Sequence, residues 1–141
     1  MKDEDLYPGL DKKELRGIKK EVAEKYDPKI VAEANKRVRA MTKARWVGVK
    51  AEADEICRAL AAVMDLDPAE PAVQKLIARH YQHLGRFYEP TLELYRGLGV
   101  MYAGDPRFRS HYDKYKKGLA VFLSKGISIF CSKQAFGEGR F

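Results

Sequence analysis

The chain has 141 residues, 45% hydrophobic and 33% charged, and a formal net charge of +7. That size and balance suit one soluble domain with a real core, and no apolar run approaches the roughly 18 residues a membrane span needs. The basic excess invites an anionic partner, yet "DKKELRGIKKEVAEK" interleaves both signs at helical spacing, as a solvated face does, and no RNP, zinc-finger or basic-zipper pattern occurs. No direct contact with nucleic acid or membrane is therefore expected. The polar, acidic start "MKDEDLYPGL" lacks a secretory apolar stretch, so the cytoplasm is the expected compartment. In that compartment Cys57 and Cys131 read as free thiols.

In chain order, almost everything reads as helix. The first is expected over residues 12–26, after a Pro8-Gly9 turn and with Asp11 as N-cap. Only Leu15, Ile18 and Val22 make its apolar stripe, too thin to bury much area. Asp27-Pro28 opens a second helix, which breaks near Ala40-Met41. Thr42 caps a third, reaching about Asp65, with Trp46, Val49, Ala53, Ile56, Leu60 and Val63 on one face. After "DLDPAEP", a fourth runs from about Glu70 to Phe87, its apolar face carrying Val73, Ile77, Tyr81 and Leu84 with His80 and His83 among them. Pro90 opens a fifth, reaching about Ala103. "GDPRF" is a turn before a short sixth over Phe108–Tyr115. The last, from about Gly118 to Cys131, is apolar on most sides and should be central. The tail 132–141 has no period and is expected to fray. The fold class is all-α: six to seven unequal helices in an irregular, globin-like packing, forming a single ligand-binding domain over 1–141.

No motif joins a nucleophile, a base and an orienting group, so catalysis is not expected. His80 and His83, at i and i+3, project in similar directions and could share a metal with His111. Haem is the related alternative. Neither has a completing ligand set, and no cofactor is expected. The aromatics carry the stronger signal. Trp46, Tyr81, Phe87, Tyr88, Tyr95, Tyr102 and Tyr112 lie on or beside apolar faces, where a plain core favours aliphatic residues. Tyrosine hydroxyls need partners when buried, so these rings and the two histidines suit a partly polar cavity for a large amphipathic ligand. Ordinary packing with the hydroxyls reaching water is the competing reading. Gly97 and Gly99 tilt toward a cavity, because helix glycines cost about 1 kcal/mol each and mark close approaches.

At "MYAGDPRFRSHYDKYKKGLAVFL" (Met101–Leu123) the sequence resembles the TipAS antibiotic-recognition domains. The family pattern GL-x-x-MY-x-x-DPRF, then YD, then GLA-x-FL is matched by Gly97-Leu98, Met101-Tyr102, Asp105 to Phe108, Tyr112-Asp113 and Gly118 to Leu123. "HYQHLGRFY", "MTKARW" and "YPGLD" resemble further family segments in the right order. The resemblance implies a globin-like helical domain that sequesters bulky antibiotics such as thiopeptides. It also implies an N-terminal segment, about residues 1–27, that closes over the ligand and would use Tyr7 and Leu15. Family members usually carry this domain behind a winged-helix domain and a coiled coil. Here the initial Met favours a stand-alone form over a domain cut from a regulator. Some members have a reactive cysteine just after the aromatic pair. This chain has Glu89-Pro90-Thr91 there, so covalent capture at that place is not expected.

The resulting expectation is non-enzymatic binding of a bulky hydrophobic or aromatic small molecule, with Trp46, His80, His83, Phe87, Tyr88, Tyr95, Tyr102 and Tyr112 as contacts. The alternatives are an effector module acting through a protein partner of a transcriptional regulator, and a haem or metal carrier.

Overall fold

The computed structural model describes residues 27–138, together with positions 13 and 16. Apart from those two positions, the helix expected over 12–26, and with it the closing segment, lies outside the described residues. Among those described there are six α-helices and no strand. They are α1 (Pro28–Arg39), α2 (Lys43–Ala62), α3 (Pro71–Leu84), α4 (Leu92–Gly104), α5 (Pro106–Asp113) and α6 (Leu119–Glu138). The described residues fall into two compact units, one of 27–50 with Arg86–Tyr88 and one of 51–85 with 89–138.

In the first unit, Asp27 opens α1 by accepting from the Lys29 backbone N–H at 2.8 Å, with Pro28 in the first turn. Lys36, Arg37 and Arg39 occupy the last turn, where cations favour the negative end of the helix dipole. The Thr42 hydroxyl then accepts from the Arg45 N–H at 3.1 Å and starts α2. Val38 and Val49 are buried.

The second unit is built around α6. Leu119, Leu123 and Ile127 expose no surface, and α6 packs against α3, α4 and α5. Two glycines allow those helices to approach. A Cβ on Gly99 of α4 would stand 3.0 Å from Ile127 Cγ2, and one on Gly126 of α6 would stand 2.9 Å from Ile77 Cδ1. Gly97, by contrast, is exposed and has nothing within 4 Å of where a Cβ would be. Of Gly97 and Gly99, only Gly99 thus marks a close approach, and the partner there is α6.

Several boundaries differ from expectation, four of them for reasons the hydrogen bonds give. Helix α3 stops at Leu84 instead of Phe87, because Gly85 turns back with its N–H on the Gln82 carbonyl at 3.0 Å. Phe87 therefore sits in the turn after the helix and Tyr88 in the bend that follows. Helix α4 is opened by Thr91, not Pro90. The Thr91 hydroxyl accepts from the Leu94 N–H at 3.1 Å, while the Pro90 carbonyl is taken by the Tyr81 hydroxyl at 3.0 Å. Helix α5 starts at Pro106, two residues early, because Asp105 accepts from the Arg107 N–H at 2.9 Å and pairs with its guanidinium at 2.8 Å. Finally, α6 continues through Glu138, across most of the tail expected to fray. Its extension is tied down where Lys133 donates to the Ala69 carbonyl and Arg96 to the Ser132 hydroxyl, both at 3.4 Å. At the other end, Gly118 takes the left-handed φ of 94° that favours glycine, and the Asp113 carboxylate accepts from the Ala120 N–H at 3.0 Å.

Candidate ligand-binding site

Helix periodicity places His80 and His83 on one side of α3, and Tyr95 and Tyr102, seven residues apart, on one side of α4. Their rings form a continuous run. His80 lies 5.6 Å from Tyr95 and 6.2 Å from Tyr102, and Tyr102 lies 4.8 Å from Tyr112 of α5. Beyond Tyr95 the run continues to Tyr81 at 4.9 Å and Phe130 at 5.9 Å. Tyr95 has no exposed surface, and His80, His83, Tyr102 and Tyr112 are buried.

The polar end of Tyr95 is committed. The Tyr95 hydroxyl stands 2.7 Å from His80 Nδ1 and 3.2 Å from the Ile77 carbonyl. A phenol has one proton, and the carbonyl can only accept. The arrangement closes if Tyr95 donates to Ile77 and accepts from His80 Nδ1–H, which leaves Nε2 with its lone pair. Burial, reinforced by His83, pulls the His80 pKa down to about 4, so the ring is neutral at neutral pH. Tyr112 is pushed up, first by burial, while its bond from Tyr102 acts the other way.

The other candidates belong to the first unit. Trp46 meets Phe87 edge to face, with ring centroids 6.3 Å apart and planes at 85°. Lys50, one turn along α2, holds its ammonium 5.7 Å from the Trp46 ring centre. Trp46, Phe87 and Tyr88 are all half-buried. Trp46 Nε1 is nevertheless buried and has no hydrogen-bond partner. Among the described residues it is the only buried side-chain nitrogen or oxygen in that state.

His111 is exposed and stands beside the rings of Tyr112 and Tyr115, at 5.1 and 6.4 Å. Among the described residues no three His, Cys, Asp or Glu side chains gather into a group that could hold a metal ion. Both thiols are free and buried. Burial, with Asp54 nearby, raises the Cys57 pKa to about 11, and burial also raises that of Cys131, whose Sγ–H donates to the Leu92 carbonyl at 3.5 Å. Tyr7 and Leu15 lie outside the described residues. Sequence reasoning did not assign a role to Lys50, although its i, i+4 spacing from Trp46 carried the signal. It also passed over Tyr81 and Phe130 as braces for Tyr95, and Phe130 reaches that place only through tertiary packing.

The comparisons with known proteins agree with the quoted motifs. The sequence model of the TipAS antibiotic-recognition domain matches residues 18–130. The HTH-type transcriptional activator mta of Bacillus subtilis is 34% identical over 139 residues, covering 95% of this chain and 54% of that protein. The HTH-type transcriptional activator TipA of Streptomyces coelicolor is 32% identical over 98 residues, covering 67% of this chain and 39% of that protein. The chain thus spans about half the length, or less, of these curated relatives. A solved structure of TipAS from Streptomyces lividans in complex with nosiheptide, from a thiopeptide antibiotic multidrug resistance system, superposes with a TM-score of 0.79 at 23% identity. The match covers 94% of this chain and 93% of that one, so the fold is shared across nearly the whole length. With a family match that extends from the first expected helix to the end of the aromatic run, the chain belongs to the TipAS antibiotic-recognition domain family.

Proposed function

We propose that the chain binds a bulky, hydrophobic or aromatic antibiotic of thiopeptide type and releases it unchanged, in drug sensing or resistance. The family match over residues 18–130 carries this reading. Each unit supplies its own candidate contacts. In the first they are Trp46, Phe87 and Tyr88, which stay partly exposed. In the second they are His83, Tyr102, Tyr112 and Nε2 of His80. Tyr95, with no exposed surface and both ends of its hydroxyl used, acts as the support that orients His80.

The test is a thermal-shift series with nosiheptide, unrelated natural products and haem. A ligand at a hundred times its dissociation constant adds about 2.7 kcal/mol of stability, an easily measured rise in melting temperature. A rise with nosiheptide supports the reading. A rise with haem and none with any antibiotic overturns it in favour of a carrier.

A second reading is favoured by the HTH-type regulators among the relatives and by the chain covering about half of them. On that reading the chain is the effector module of a regulator. Overproducing it in a thiopeptide-sensitive host separates the two roles. Sequestration predicts growth at higher antibiotic concentration in proportion to protein made, whereas a module that works through a partner gives no protection alone.

A further inference from the structure

Resting on that antibiotic-binding reading, we propose that the indole N–H of Trp46 is the donor that recognises a planar hydrogen-bond acceptor on the ligand, an azole nitrogen or an amide carbonyl. Tryptophan offers one N–H and no acceptor, so only an acceptor can satisfy it. Burying a donor without a partner costs free energy, and folded proteins rarely leave one so. Here Trp46 Nε1 is buried and unpartnered, alone in this among the buried side-chain nitrogens and oxygens of the described residues. The donor is also held in place. Phe87 meets the ring edge to face at 6.3 Å, and the Lys50 ammonium stands 5.7 Å from its centre. The donor itself needs no ordering when a ligand reaches it past the atoms that now cover it. A cation at the π face also draws electron density from the ring and strengthens the N–H as a donor.

The surroundings narrow the acceptor's chemistry. Trp46 and Phe87, whose rings meet, are each half-buried, so flat apolar area lies beside the donor. A planar acceptor group gains contact with such rings and the hydrogen bond together. An analogue without the acceptor leaves the N–H buried and unpaired, and the site discriminates against it strongly.

Two measurements with nosiheptide as the probe test the assignment. In Trp46→Phe the ring contact with Phe87 is largely kept and the donor is removed. Because the unsatisfied group goes with it, the variant should melt no lower than the wild type, while calorimetry should show nosiheptide binding weakened at least tenfold. The second measurement needs no variant. The chain has a single tryptophan, so the labelled protein gives one indole N–H resonance. That resonance should move downfield and its exchange with water should slow when nosiheptide is added. Binding of wild-type and Trp46→Phe protein with equal strength, or an indole resonance unmoved at saturation, overturns this assignment alone. Absence of any binding heat with the wild-type protein overturns the function reading and this assignment with it.

Discussion

The Trp46–Phe87 cluster and the His80–Tyr95–Tyr102–Tyr112 run are both made of aromatic and imidazole rings, yet they treat their polar atoms in opposite ways. In the run, the Tyr95 hydroxyl bridges His80 and the Ile77 carbonyl, and the Tyr81 hydroxyl is spent on the Pro90 carbonyl. In the cluster, the one buried donor has no acceptor. Ring content therefore does not tell which polar atoms the fold satisfies by itself. The hydrogen bonds do. A satisfied network contributes to folding, whereas an unsatisfied donor costs stability unless something outside the fold completes it.

The largest test of this contrast is acidification. His80 is neutral in the folded protein, with a pKa near 4, against an ordinary value of 6.5 once unfolded. Between those values the unfolded chain binds the extra proton and the native state does not. The His80 contribution is therefore whole above the ordinary histidine pKa and declines as pH falls toward 4. That should remove up to about 3 kcal/mol, read as a steady drop in denaturation midpoint. His80→Gln should flatten that part of the profile, and an unchanged slope would mean the imidazole is not buried neutral.

Next comes Tyr95→Phe. It leaves the Ile77 carbonyl and His80 Nδ1 without their shared partner and should cost about 2 kcal/mol, against no loss for Trp46→Phe. Equal stability changes in the two variants would erase the distinction drawn between the regions. A smaller effect separates the α4 glycines. Gly99→Ala pushes a methyl group against the branched Ile127 side chain, whose Cβ would also lie 3.2 Å away, and should cost about 1–2 kcal/mol. Gly97→Ala meets open space and should raise stability by about 0.5–1 kcal/mol, because alanine is the better helix former. The smallest expected signal is in the thiols. With both pKa values raised by burial, Cys57 and Cys131 should stay unmodified when native protein is incubated with nosiheptide at neutral pH. An intact-mass spectrum showing the antibiotic covalently added would refute that.

Much of this was readable from the chain, for local reasons. Asp27 and Thr42 announce helix starts because capping is decided within three residues. The histidines and tyrosines could be grouped because helical spacing fixes which side they share. What escaped depends on partners distant in sequence. The Pro90 carbonyl goes to Tyr81, so Thr91 opens α4. Residues 132–138 stay helical where Ala69 and Arg96 hold Lys133 and Ser132. Gly99 announced a close approach but could not name Ile127. Phe87 and Tyr88 looked like a continuation of the His80 helix until Gly85 ended it. The orphaned state of Trp46 Nε1 could not be inferred at all, since it is an absence created by the whole fold.

The placement of Trp46 has one more consequence. As the sole tryptophan, it is the only indole fluorophore in the protein, and it sits beneath a lysine ammonium and against a phenylalanine edge. Light absorbed by the eight tyrosines can also pass to it by energy transfer. The protein therefore contains its own optical gauge: a change in the surroundings of Trp46 can be followed by emission colour and intensity, on millisecond mixing and without an attached dye.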